Sequence, residues 1–314
     1  MGVTSQTQAL SLGEGSTPLV SAGRLSHETG YDLHVKLEGA NPTGSFKDRG
    51  MVVAVARAVE AGARAVVCAS TGNTAASAAA YAARAGLDAV VLTPAGATAT
   101  AKRAQAVAAG ARLIELRGSF DDALRICREL GARPGFVLVN SLNPDRIEGQ
   151  KRVVGELIAQ LGAVPEVLAL PFGGGGNVSA VAKGLDEEGL DVRVVVGQAE
   201  QRPTTWASAI RIGQPAHSEN VARLVESGRV EVATLSEAEL RESWQLVATT
   251  EGAFCEPASG AGVGALKKLG VRGVTAVAIL TGHGLKDTAA VEVLTAAATL
   301  VDPTPEAILA EVRR

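Results

Sequence analysis

Short runs of valine, isoleucine and leucine alternate along the chain with alanine-rich stretches in which apolar residues recur at intervals of three and four. The apolar runs at residues 65–69, 89–92, 112–116, 136–140, 167–171, 192–197 and 275–281 predict strands. Several are continuously apolar, as parallel strands covered on both faces are. The stretches at 51–59, 74–85, 97–109, 120–130, 147–161, 178–185 and 237–250 predict helices. Strand and helix in alternation specify an α/β chain of doubly wound open sheets. A polar turn cluster, Asn140-Ser141-Leu142-Asn143-Pro144-Asp145, separates two regular blocks, so a domain boundary is placed after residue 142.

Composition narrows the class of partner. With 46% apolar and 20% charged residues among 314, a packed core is expected and disorder is not. A net charge of −3 leaves no basic footprint for nucleic acid and no polybasic patch for a lipid surface. No apolar stretch reaches the roughly 18 residues a membrane span needs, and the first residues lack the pattern of a signal peptide. Cys68, Cys127 and Cys255 are odd in number, far apart and in apolar surroundings, which reads as reduced core thiols in a cytoplasmic protein. The histidines 27, 34, 217 and 283 have no metal-ligand spacing, so no metal is expected.

Candidate chemistry lies in one lysine and four loops. In Glu38-Gly39-Ala40-Asn41-Pro42-Thr43-Gly44-Ser45-Phe46-Lys47-Asp48-Arg49-Gly50, the turn residues precede a Ser45-x-x-Asp48 capping box and a helix. Lys47 then sits in the first helical turn, where the macrodipole disfavours a cation and eases its deprotonation. That suits an amine acting as nucleophile or base, although an exposed lysine at a helix start also satisfies the position. Ser70-Thr71-Gly72-Asn73-Thr74, between a strand and a helix, reads as an anion site or as ordinary caps. Phe172-Gly173-Gly174-Gly175-Gly176-Asn177 also links strand to helix, and four glycines favour a nest of amides around a phosphate over a flexible turn. Thr281-Gly282-His283-Gly284 is a tight turn by itself. Asn140, Ser141 and Arg146 combine a guanidinium with neutral donors, suited to phosphate or carboxylate but also to a solvated turn.

Taken with its flanks, Asn41-Pro42-Thr43-Gly44-Ser45-Phe46-Lys47-Asp48-Arg49-Gly50 resembles the pyridoxal-phosphate lysine segment of fold-type II, tryptophan-synthase-β-like enzymes, in the variant of the threonine synthases. The opening Leu12-Gly13-Glu14-Gly15-Ser16-Thr17-Pro18-Leu19, Thr281-Gly282-His283-Gly284, and Cys255-Glu256-Pro257-Ala258-Ser259-Gly260 extend the likeness from residue 12 to about 290; Gln214 and Gly260 differ from the family segments. The resemblance implies two α/β domains, 37–142 and a larger one formed by 1–36 and 143–314, with the cofactor in the cleft between them. It implies that Lys47 carries pyridoxal 5′-phosphate in Schiff-base linkage. Asn73 would contact the 3′-oxygen, Gly173, Gly174, Gly175, Gly176 and Asn177 the phosphate, and Thr281 the pyridine nitrogen. The 70–74 loop, with Ser70, Thr71 and Thr74, would hold the substrate carboxylate, and Asn140, Ser141 and Arg146, with Ser70 and Thr74 as neighbours across the cleft, the phosphate of O-phospho-L-homoserine. His283 reads as structural before it reads as a proton shuttle. The activity so implied is a lyase reaction giving L-threonine and phosphate, in a cytoplasmic homodimer. Alternatives are a threonine or serine ammonia-lyase of the same fold, a catalytically silent cofactor-binding protein, and a nucleotide-binding α/β protein using the glycine loop.

Overall fold

A computed structural model describes residues 4–70, 72–96, 100–288 and 298–312. Helix α1 (Ser5–Leu10), strand β1 (Leu19–Ser21), helix α2 (Gly23–Thr29) and strand β2 (Asp32–Leu37) open the chain. Then follow α3 (Lys47–Glu60), β3 (Ala65–Ala69), α4 (Asn73–Ala85), β4 (Asp88–Pro94), α5 (Thr100–Ala108), β5 (Arg112–Leu116), α6 (Phe120–Gly131) and β6 (Phe136–Leu138). The second half comprises α7 (Pro144–Gln150), α8 (Val153–Leu161), β7 (Val167–Pro171), α9 (Gly176–Glu187), β8 (Arg193–Ala199), α10 (Ser218–Glu226) and β9 (Val230–Leu235). It closes with α11 (Glu237–Glu251), α12 (Gly260–Leu269), β10 (Thr275–Leu280) and α13 (Pro305–Val312).

Two sheets result. A six-stranded sheet has the order β1-β2-β10-β7-β8-β9, parallel apart from the β1–β2 pair, and a four-stranded parallel sheet has the order β5-β4-β3-β6. Strands β3 and β7 are buried at every position, as their unbroken apolar sequences require. Strands β1, β2 and β9 were not expected from the apolar runs. In β2 the sequence Asp-Leu-His-Val-Lys-Leu alternates, and Lys36 is nonetheless enclosed, its ammonium donating to Glu156, Gln160 and the Thr17 carbonyl.

The N-terminal residues divide between the sheets. Strands β1 and β2 join the larger sheet, whereas α1 packs on α3 and places Leu10 in the core with Met51, Val55 and Tyr81. This departs from the expectation that all of 1–36 packs with the C-terminal half: Leu10 is apolar and finds its cover on α3. The helix expected over 147–161 is instead two, α7 starting at Pro144 under an Asn143 cap, and α8 starting at Val153. Helix α7 lies against both α3 and α9, and α8 against α9 and β1. No helix among the described residues is long and apolar enough to cross a membrane.

Candidate active site

Lys47 is the first residue of α3, as the turn and apolar pattern predicted, but the expected capping box is absent. The Asp48 carboxylate instead turns back to accept from the Thr43 amide and hydroxyl, at 2.7 and 2.6 Å, and from Ser77 at 2.6 Å. Ser45 Oγ is buried with no partner. Three donors around one carboxylate are a better use of Asp48 than a single cap, because Asp48 is fully enclosed. The Lys47 ammonium lies 4.2 Å from the Phe46 ring centre. Burial, with the Arg146 charge second, draws its pKa down to about 7. Desolvation therefore supplies the effect that the sequence assigned to the helix dipole.

The lysine segment is stitched to the loop after β10. The Phe46 amide donates to the Thr281 carbonyl at 3.0 Å, the His283 amide to Gly44 at 2.9 Å, and Ser45 bridges Gly282. Thr281 is thus held beside Lys47 although 234 residues separate them in sequence, the difference of their numbers. His283 Nδ1 accepts from the Leu285 amide at 3.1 Å, a capping contact that agrees with its structural reading.

Two helix starts carry the loops read from the sequence as candidate anion sites. Ser70 Oγ accepts from the amides of Gly72 and Ala75, at 3.1 and 3.2 Å, which shapes the start of α4. Asn73 is buried, donates to Glu256 Oε2 at 2.9 Å, and leaves its Oδ1 without a partner. Thr74 stays partly exposed, and Thr71 lies outside the described residues. At α9 the chain turns through Gly175 at a φ of +85°, where a Cβ would also fall 2.9 Å from His217 Cβ. Gly173 is gripped through its carbonyl by Arg202, and the His217 amide donates to Gly174. Asn177, in the first turn, is buried with its Nδ2 unpaired. A helix start with an enclosed, unused amide donor is a built place for a phosphate.

The fourth segment is not wholly a loop, since Arg146 belongs to α7. Its guanidinium is fully buried, donating to the Val139 carbonyl at 2.9 Å and approaching the Lys47 carbonyl at 3.5 Å, with Nε unpaired. No carboxylate among the described residues lies within ion-pair distance of it, and burial lowers its pKa to about 10. Asn140 spends both amide atoms on Ala69, accepting at 2.9 Å and donating at 2.8 Å. It therefore anchors the end of β3, next to Ser70, where an open ligand group was expected. Ser141 lies at the start of α9: a methyl on Gly176 would sit 3.5 Å from its Cβ, and His217 Nε2 donates to its carbonyl at 2.7 Å.

Four residues at the site were not singled out from the sequence. Glu256 binds both Asn73 and Thr281 and was visible only as a member of a quoted segment. Lys102, on α5, brings its ammonium to 4.0 Å from a Cβ built on Gly72, and is held by Ser208 and Asp287. Lys286 donates to the Thr43 carbonyl and to Gln105, and burial draws its pKa down to about 8. Arg202 braces the glycine loop from behind. Neither Lys102, an isolated basic residue in a helix, nor Arg202 and Lys286, which lie in turns, carries a sequence signal of such a position.

Residues 10–282 match the family model described as pyridoxal-phosphate dependent enzyme. The chain is 43% identical over 306 residues to the threonine synthase of Halalkalibacterium halodurans, covering 91% of this chain and 86% of that one. It is 46% identical over 297 residues to the threonine synthase of Mycobacterium leprae, covering 87% and 82%. Among solved structures, maize serine racemase superposes with a TM-score of 0.81 at 19% identity, over 92% of this chain and 94% of that one. This last likeness concerns the fold.

Proposed function

The chain belongs to the pyridoxal-phosphate-dependent enzymes, within the threonine synthases, and from that premise we propose that it converts O-phospho-L-homoserine and water to L-threonine and phosphate at the cleft around Lys47. It is a lyase that uses pyridoxal 5′-phosphate. The residues present fit that group: a desolvated amine at Lys47, a glycine turn that excludes a Cβ, and the enclosed, unpaired amide of Asn177. Lys47 would hold its aldehyde carbon, residues 173–177 its phosphate, Asn73 its 3′-oxygen and Thr281 its ring nitrogen. When bound, the group supplies a sink for negative charge developing on the substrate carbons.

The chain's own residues do the rest. Lys47, with a pKa of about 7, is matched to taking the proton from Cα and then from Cβ near neutrality. Phosphate departs from Cγ, water adds at Cβ, and protons return to Cγ and Cα. The 70–74 loop presents the α4 start to the substrate carboxylate. One observation favours a phosphorylated substrate: Arg146 is a fully buried guanidinium with no carboxylate in ion-pair range among the described residues and an unpaired Nε. A buried cation with no carboxylate in direct contact is costly, the Asp48 charge acting on it only from a distance, and a dianion against it offsets the cost. Lys102, paired with Asp287, brings a second cation beside Gly72. Asn140 enters this reading as the residue that positions Ser70, and Ser141 as a donor beside both the cofactor cradle and the substrate.

The test is phosphate release from O-phospho-L-homoserine by the purified yellow protein, with threonine quantified alongside and L-threonine deamination run in parallel. Equal phosphate and threonine are expected. Formation of 2-oxobutyrate from threonine, without phosphate release, would replace this reading with an ammonia-lyase. We also read the protein as a cytoplasmic homodimer. Its three cysteines are free and buried, with pKa values pushed up to about 12, and suit a reducing compartment. Ile308, Leu309 and Val312 on α13 expose an apolar stripe suited to a second copy. Sedimentation of the holoenzyme checks the dimer.

A further inference from the structure

We propose that Glu256 is a positioning residue that sets two cofactor contacts at once, fixing the Asn73 amide and the direction of the Thr281 hydroxyl bond from a single carboxylate. The inference rests on reading Asn73 and Thr281 as the contacts to the ring's 3′-oxygen and nitrogen. Glu256 is 1% exposed. Its Oε2 accepts from Asn73 Nδ2 at 2.9 Å and its Oε1 from Thr281 Oγ1 at 3.2 Å. Its position is fixed from the backbone: the Glu256 amide donates to the Gly282 carbonyl at 2.8 Å, and Pro257 follows in a tight helical turn. Gly282 leaves the room required, since a Cβ there would fall 2.5 Å from Oε1.

A carboxylate only accepts. Asn73 gives one of its two amide hydrogens to Glu256 and keeps the other for a ligand. Thr281 has a single hydroxyl hydrogen; donated to Glu256, it leaves lone pairs toward whatever faces it, with Ser259 Oγ at 3.1 Å as a second neighbour. The two contacts come from opposite sides of the cleft, Asn73 from α4 beside the smaller sheet and Thr281 from the end of β10 in the larger. Glu256 thereby couples the two sides. Its charge also faces Lys47 and Lys286, raising both against the lowering caused by their burial.

The experiment compares E256Q holoenzyme with wild type. Glutamine is isosteric but has one acceptor where the carboxylate has two, so it cannot accept from Asn73 and Thr281 through separate oxygens, and one of the two bonds must reverse. The expected result is retained cofactor, a displaced absorbance maximum, and kcat lowered about 10- to 100-fold with KM changed less than about threefold. An unchanged spectrum and kcat would overturn the proposal. If E256Q does not fold, E256D, which keeps the charge but withdraws it from both partners, is expected to displace the spectrum, and an unchanged spectrum there overturns the proposal equally. T281A separates this inference from its premise: a T281A spectrum like wild type removes Thr281 from the ring, whereas a displaced T281A spectrum beside an unchanged E256Q spectrum defeats the role of Glu256 alone.

Discussion

Gly50 of α3 rests directly on Arg146 of α7: a Cβ on Gly50 would fall 2.4 Å from the Arg146 carbonyl oxygen. The contact is reciprocal, because a Cβ on Gly149 would fall 2.0 Å from the Arg49 carbonyl oxygen. Two glycines thus let the helices cross backbone to backbone. That crossing brings the Arg146 guanidinium beneath the first turn of α3, where Lys47 stands.

Gly50→Ala should force the helices apart. Overpacking of this kind costs about 1–3 kcal/mol, and contact with rigid backbone places it at the upper end. Thermal unfolding of the apoprotein should show a lower midpoint, and turnover should fall with it because Arg146 moves relative to Lys47. A variant with wild-type stability and rate would show that the crossing is looser than described.

Capture of pyridoxal phosphate by the apoprotein should follow the free amine of Lys47. Its rate is expected to rise about tenfold per pH unit below 7 and to level off above that value, where the amine is unprotonated. Folding depresses this pKa from the ordinary 10.5 to about 7, so between those values the unfolded chain holds the extra proton and apoprotein stability rises with pH. Lys47→Ala should abolish turnover and remove both dependences. Stopped-flow absorbance and pH-resolved melting provide the measurements, and an inflection near the ordinary lysine value would argue against a desolvated amine.

Arg146→Ala should weaken turnover of O-phospho-L-homoserine by about 10²- to 10³-fold in kcat/KM, the scale of losing a buried charge contact of roughly 3–4 kcal/mol. Cofactor loading should persist. The same substitution removes the cation beside Lys47, so the pH profile for cofactor capture should move upward. If cofactor loading collapses instead, Arg146 belongs to the cofactor site.

Gly175→Ala should lower cofactor affinity. The residue has a φ of +85°, and its new methyl would press on His217, so the turn that begins α9 must open. Titration of apoprotein with pyridoxal phosphate is expected to give a dissociation constant raised at least about tenfold, the equivalent of 1.4 kcal/mol. Unaltered affinity would remove the loop from the phosphate site.

The alternation of apolar runs and alanine-rich stretches determined the α/β class, because a strand buried on both faces must be apolar throughout, as β3 and β7 are. Local patterning also placed Lys47 at a helix start and the glycine turn before α9. Strands β1, β2 and β9 escaped it: β1 and β9 lie at sheet edges, and β2 buries a lysine whose counter-charge, Glu156, is 120 residues away. The site was legible as separate loops, and what they do to one another was not. Burial, which local sequence does not measure, lowers the Lys47 pKa; Asp48 leaves its expected cap for Thr43 and Ser77; Asn140 turns inward to Ala69. Arg146 and Glu256 acquire their meaning only when α7 and the segment before α12 are folded against Lys47 and Thr281. Hydrogen bonds and desolvation act over a few ångströms in space, and the partners that decide them here lie far apart along the chain.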